Sequence, residues 1–169
     1  MYSLLLLTLT AGADLSPPPA KADMKPATID GLVWSADLAS ALADAAKTKS
    51  LVFIDFTGVT CINCKINEKE VFSKDEVKTE FKKFIRVQLY TDEVPAKFFK
   101  MAADDTRREE DAETNRKFQK DVFKTEQLPL YAIVKPVGDG KFEAVGIYGE
   151  GKINHVDKFI EFLKNLQSK

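Results

Sequence analysis

Cysteine is scarce in this chain: two in 169 residues, three positions apart. A secreted scaffold stapled by disulfides needs more of them, spread more widely. A bridge between such near neighbours constrains the unfolded chain little, so the pair Cys61 and Cys64 suits chemistry better than stapling. Histidine is scarcer still. His155 stands alone, and a closed zinc site wants four ligands, usually from two cysteine pairs. The pair is therefore read without a metal or other cofactor, and His155 as a surface or helix-cap residue. Net charge is nearly absent, with 25 Lys and Arg against 26 Asp and Glu. That balance gives no general attraction to nucleic acid or to an anionic membrane. No internal repeat is present. A long hydrophobic run is missing too: residues 2–13 (YSLLLLTLTAGA) form the longest apolar stretch. As a helix it would span about 18 Å at ~1.5 Å per residue, short of a ~30 Å hydrocarbon core.

What is present fits one soluble domain: 44% apolar and 30% charged residues, and twelve Phe for an aromatic core. Residues 1–13 read as a signal peptide, with Ala11-Gly12-Ala13 as a cleavage site, or as the outer end of a membrane helix, since no Lys or Arg precedes the run. Both readings put the remainder outside the cytoplasm, periplasmic if bacterial, with an N-terminal membrane tether under the second. Residues 14–29, with Pro17-Pro18-Pro19, read as an extended linker, and 30–169 as the folded domain.

Within that domain Ser35 is the expected cap of a helix to about Lys47, with Leu38, Ala39, Leu42, Ala45 and Ala46 inward. Residues 51–56 (LVFIDF) are an almost unbroken apolar run, as in a strand covered on both sides, interrupted by Asp55. A helix is expected from Cys61 to about Phe72. Ser73 should cap another, with Asp75 and Glu76 in its first turn. Residues 84–90 (FIRVQLY) predict a second central strand. Residues 91–113 turn irregular and strongly charged, read as a solvated helix or mobile excursion. Residues 115–123 predict a helix with Phe118, Val122 and Phe123 inward. Strands follow at 130–134 and 142–148 around Gly138-Asp139-Gly140, a hairpin signal. A last helix spans 153–166, and a short strand lies near 32–34. Alternating strands and helices closed by a hairpin imply an α/β fold with a mixed central sheet.

Two cysteines at i and i+3 at a helix start can bridge, and free N–H groups there stabilise a thiolate. Cys61, at the exposed end, would attack a partner disulfide, and Cys64 would resolve the mixed disulfide. Asp55 lies six residues before Cys61, and Glu68 one helical turn after Cys64. A partly buried carboxylate there could relay protons to the resolving thiol, although its charge would oppose thiolate formation. Leu128-Pro129 precedes the third strand. A cis bond there would let the loop present backbone to an incoming chain opposite Cys61.

Together these residues resemble the thioredoxin superfamily: an apolar strand with an acid six residues before a CxxC, then a cis-proline loop. The stretch LVFIDFTGVTCINCKINEKEVF, with Cys61, Cys64, Lys65, Glu68 and Phe72, is similar to the C-terminal periplasmic domain of DsbD-type thiol:disulfide interchange proteins, and so is Gln127-Leu128-Pro129. The resemblance implies a thioredoxin fold with a charged helical insertion before the cis-proline loop. It also implies Asp55 and Glu68 as acids tuning the pair, and Pro129 in cis. Protein thiols and disulfides would be the partners of a monomer drawing electrons from a membrane-embedded donor. Thr60 stands where many relatives carry Trp, and Ile62-Asn63 replaces the Gly-Pro of cytoplasmic thioredoxins. Thr60, Ile62, Asn63, Leu128 and Pro129 thus form the expected docking surface. The segment 91–127 is longer than a minimal thioredoxin needs, which suggests a partner-docking element. The expected function is an extracytoplasmic disulfide reductase or electron relay. A thiol oxidase or isomerase of the same fold, or a binding module with a static CxxC, are the alternatives.

Overall fold

The computed structural model describes residues 15–166, so the expected signal or membrane segment falls outside it. Among the described residues no helix is long and apolar enough to cross a membrane. The apolar run becomes strand β3 (Leu51–Thr57), central in a four-stranded sheet. β4 (Phe84–Tyr90) lies parallel to it on one side; β5 (Leu130–Gly138) lies antiparallel on the other and pairs with β6 (Lys141–Tyr148). The order is β4-β3-β5-β6. This is the α/β architecture expected, with a mixed sheet between helices.

Strand alternation divides the side chains between two covered faces. Val52, Ile54 and Phe56 pack with Leu38, Ala41, Leu42 and Ala45 of α1 (Leu38–Thr48) and with Phe118, Val122 and Phe123 of α4 (Asp105–Phe123). Phe53 points the other way. It joins Trp34, Phe72, Phe81, Tyr131 and Phe159 in an aromatic cluster beneath α2 (Ile62–Asn67), α3 (Asp75–Phe81) and α5 (Val156–Asn165). Offset and edge-on ring pairs fill this side, such as Phe53 on Phe81 at 4.9 Å between centroids. Asp55 is on this aromatic face, two residues from Phe53.

Several boundaries differ from expectation for identifiable reasons. The cap of α1 is Asp37, whose carboxylate accepts from the Ser40 N–H, while the Ser35 hydroxyl accepts from the Asp37 N–H. Ala46 is exposed and Ala41 takes the inward position. Ser73 is not a cap either: its hydroxyl donates back to the Lys69 carbonyl, and Lys74 occupies the cap position of α3. α2 passes into one π-helical turn, Glu68–Phe72. α4 begins ten residues before the expected 115, because Asp104 caps it through the Arg107 N–H. Of the charged segment 91–113, residues 105–113 are helix, mostly exposed but with Asp111 and Ala112 buried, and most of the remainder is irregular.

Residues 21–29, expected as linker, are docked. β1 (Ala27–Ile29) pairs antiparallel with β2 (Leu32–Trp34) across Asp30 and Gly31, both at positive φ. The Lys25 N–H donates to the Phe98 carbonyl, the Lys100 N–H donates to the Asp23 carbonyl, and Met24 is buried. Lys21 Nζ lies 2.9 Å from Asp111 Oδ1. Just past β2, Ser35 bridges the outer edge of β4: its N–H donates to the Arg86 carbonyl and its carbonyl accepts from the Gln88 N–H. The Arg86 guanidinium folds back onto the carbonyls of Val33, Phe81 and Phe84.

Candidate functional site

β3 ends at Thr57, and the chain turns over residues 58–60 before α2 begins. Cys61 is the cap of α2, its N–H donating to the Gly58 carbonyl at 3.2 Å. Its Sγ accepts from the Cys64 N–H at 3.2 Å. Cys64, in the first turn, is 2% exposed, whereas Cys61 is half-buried. The two sulfurs are bonded, with 5.3 Å between Cα atoms. A backbone N–H aimed at Cys61 Sγ favours its thiolate once the bond is reduced. Ile62, 74% exposed, and Asn63 and Thr60, both exposed, surround Cys61.

Under this corner lies a polar floor within the aromatic face. Asp55 is 1% exposed, and register sets it between Gln88 of β4 and Tyr131 of β5. The Gln88 amide donates to Asp55 Oδ2 at 3.1 Å and to Glu68 Oε1 at 3.2 Å. Its own oxygen accepts from the Tyr90 hydroxyl at 3.2 Å. Glu68 also accepts from the Thr57 hydroxyl, and its backbone N–H donates to the Cys64 carbonyl. One side-chain amide therefore links the two expected acids. Burial holds the Asp55 carboxyl well above its ordinary range, and the charge of Glu68 adds to this. Burial raises Glu68 as well, opposed by the charge of Lys97, the hydrogen bonds from Thr57 and Gln88, and Lys65. Among the described residues no donor reaches Asp55 Oδ1. A carboxyl so placed takes up or gives up a proton out of contact with bulk water.

Sequence reading finds Asp55 and Glu68 but misses Gln88, Thr57 and Tyr90. The available signal is Gln88 itself, an uncharged polar side chain inside FIRVQLY, at the position that pairs with the acid of LVFIDF. Asp92 is missed too, and it shapes the approach to Cys61. Its carboxylate accepts from the N–H groups of Val59 and Thr60 (2.9 Å each), from the Thr60 hydroxyl (2.8 Å) and from its neighbour Glu93 (2.7 Å). A side chain on Gly58 would meet Asp92 Oδ2 at 2.9 Å, so glycine lets the carboxylate close on the turn. Burial alone would raise Asp92, but these hydrogen bonds, led by Thr60 and Val59, hold it below its ordinary value.

The Leu128–Pro129 bond is cis. Phe56 pairs with Leu130 in antiparallel register, so Pro129 sits beside the end of β3 that leads to Cys61. Pro129 is buried and Leu128 half-buried. Asn67, fully buried, ties the end of α2 to Tyr131 and to the backbone of Gly151 and Ile153. His155 is exposed at the cap position of α5, with no capping hydrogen bond from its side chain. Among the described residues no group of His, Cys, Asp and Glu is arranged to hold a metal ion.

Comparison with known proteins agrees with this geometry. The profile of the Thioredoxin-like family matches residues 33–136. Among solved structures, the DsbH oxidoreductase superposes with a TM-score of 0.53 at 16% identity, over 86% of this chain and 88% of that one. A thioredoxin from Thermus thermophilus gives 0.51 at 22% identity, over 80% and 84%. The oxidised C-terminal domain of Neisseria meningitidis DsbD gives 0.45 at 19% identity, over 78% and 97%. At these identities the likeness to the DsbH oxidoreductase and to the Thermus thermophilus thioredoxin speaks to the fold alone. No curated protein matches by sequence. A bonded CxxC pair at a helix start in this fold supports thiol–disulfide oxidoreductase chemistry on protein thiols. The chain belongs to the thioredoxin-like family.

Proposed function

We propose that this protein is an extracytoplasmic thiol:disulfide reductase or electron relay, with Cys61 attacking and Cys64 resolving. The observation that carries the proposal is the asymmetry of the pair: Cys61 half-buried at the cap, Cys64 enclosed one turn in, above two linked carboxyls. In the reduced form the Cys61 thiolate attacks one sulfur of a partner disulfide. A Cys61–partner bond forms, the partner's own bond breaks, and the departing sulfur takes up a proton. Cys64 then passes its proton to the carboxyl floor and attacks Cys61 Sγ. The bond between Cys61 and Cys64 forms, the Cys61–partner bond breaks, and the leaving sulfur takes up the proton held by the floor. The partner thus departs as a dithiol carrying two electrons from the pair. In this scheme Asp55 and Glu68 relay the proton between Cys64 and the departing sulfur. Thr60, Ile62, Asn63, Leu128 and Pro129 receive the partner chain, with backbone beside Pro129 lying along it.

The reducing direction rests on the resemblance of residues 51–72 and 127–129 to DsbD-type domains, in which a membrane-embedded donor resupplies electrons. The test is the equilibrium redox state of the pair across glutathione and dithiothreitol buffers, followed by thiol trapping. A potential near or below about −220 mV supports the reductant. A value near about −120 mV makes the protein an oxidant or isomerase. Absence of any reversible two-electron transition leaves only a binding module with a static bridge. A Cys64→Ser variant should accumulate mixed disulfides with partner proteins through Cys61, and a variant that traps none in cells argues against the relay.

A further inference from the structure

The loop carrying Leu128 and Pro129 is fixed by a residue outside the redox site. α4 ends at Lys124 in left-handed conformation (φ 59°), and residues 125–129 run from there to β5. Gln127, at the middle, is held at three points. Its N–H donates to the Thr125 hydroxyl at 3.1 Å, and its side-chain amide donates to the Gly149 carbonyl at 2.8 Å. Its own carbonyl accepts from the side-chain amide of Gln119, also at 2.8 Å. The first two partners lie in the loop and past the end of β6. Gln119 alone reaches in from the interior of a helix, and it is 0% exposed.

That full burial is informative. An enclosed amide needs partners for both its nitrogen and its oxygen, and an unmet half counts against the folded state. Among the described residues Gln119 Oε1 has no donor, so half of this amide is unsatisfied. A methionine of similar length would fill the same space without stranding an oxygen. The core thus gains little from an amide at this position, whereas the exposed loop gains an anchor from a side chain enclosed in the core. The same face of α4 carries Asn115, whose amide donates to the Tyr90 carbonyl at the end of β4. One helix therefore holds both the strand end preceding Asp92 and the loop preceding Pro129.

We infer that Gln119 is a positioning residue for partner recognition: by holding the Gln127 carbonyl it sets the backbone of residues 127–129 where an incoming chain lies along it. The inference rests on the docking role given to this loop under Proposed function. Gln119 has no hydrogen bond to Cys61, Cys64, Asp55, Gln88 or Glu68, so the sulfur chemistry itself is left as it was.

The experiment compares wild type with Gln119→Met and Gln119→Leu in reduction of insulin, a protein disulfide, and of cystamine, a small one, with dithiothreitol as electron source. Losing a single hydrogen bond that orders the loop, its Gln127 carbonyl then left to water, should raise KM for insulin about 3- to 10-fold. kcat, cystamine reduction and the Cys61–Cys64 potential should stay at wild-type values, and Tm should hold or rise as the stranded oxygen is removed. A folded variant with wild-type KM for insulin overturns the assignment. So does a parallel loss of insulin and cystamine activity with a lowered Tm, or failure of both variants to fold, since each makes Gln119 a support of the whole fold. Wild-type protein that reduces neither disulfide overturns the exchange reading itself, a result separable from any effect of the variants.

Discussion

Asp55 and Asp92 are the same residue type within reach of the same cysteine corner, and the protein treats them in opposite ways. Asp55 lies in the floor with one amide donor, an oxygen without a partner, and a second carboxyl across the Gln88 amide. Asp92 lies at the turn in front of Cys61 and accepts four hydrogen bonds, three from backbone N–H groups. The first environment favours the protonated carboxyl and the second the ionised one. One carboxyl is held toward its neutral form, while the other is a fixed charge that orders backbone. Burial already separates them, Asp55 being fully enclosed and Asp92 only half-buried, and the supply of donors widens the difference.

The largest effect should come from adding charge to the floor. Gln88→Glu places a third carboxyl against Asp55 and Glu68 and removes the amide that joins them. A loss of about 3–5 kcal/mol is expected, read as a lower denaturation midpoint at neutral pH and partly recovered in acid. A variant as stable as wild type at neutral pH would mean that the floor is open to water, and the contrast with Asp92 would collapse.

Asp92→Ala should cost about 1–2 kcal/mol at neutral pH, an allowance already reduced because water reaches the freed Val59 and Thr60 amides. In a chain of this size that is a Tm drop of about 2–8 °C. The sign follows from the lowered carboxyl: the folded state releases this proton more readily than the unfolded chain. Its contribution is therefore present above the unfolded value, about 3.9, and is lost as pH falls through the folded one. Thermal melts of variant and wild type should converge in acid, and a gap that persists there would remove the carboxylate from the explanation.

Asp55→Asn should do the reverse and stabilise, by about 1 kcal/mol at neutral pH, or ~2–4 °C. Here the folded state holds the proton more tightly than the unfolded chain. The wild type accordingly loses stability as pH rises from about 3.9 through the raised folded value, and the variant escapes that loss. Its rate of Cys64-dependent resolution should fall, measured by the lifetime of mixed disulfides in single turnover. A stabilised variant that resolves at the wild-type rate would leave Asp55 no part in proton transfer.

The framework of the molecule is legible in its sequence where burial is two-sided. LVFIDF and FIRVQLY both read as central strands, and an acid or a glutamine inside them stands out. The first is central, whereas the second lies at the edge of the sheet, its apolar run explained by Ser35 and the segment before it covering that side. The cysteine pair at a helix start and the proline before β5 are legible as local patterns. Asp92 is not, because its partners are backbone amides some thirty residues earlier, brought close by the parallel pairing of β3 and β4. Gln88 escapes because its role depends on register, which places it across from Asp55. Gln119 looks like an ordinary polar position in a charged helix until its burial is known. Cap residues slip for a simpler reason. Ser35 and Asp37 are both good caps two positions apart, and the choice between them is made by contacts such as the one from the Lys21 N–H to Asp37.

The sealed outer strand has a consequence for how the protein keeps company. A row of unpaired N–H and carbonyl groups on β4 would invite any extended segment to add itself to the sheet. Ser35 occupies the middle of that row, and the Arg86 guanidinium lies back over neighbouring carbonyls. A protein that exchanges disulfides with other protein chains meets their extended segments at close range. With the middle of this edge occupied, an extended segment of another chain finds no continuous row on β4 to extend.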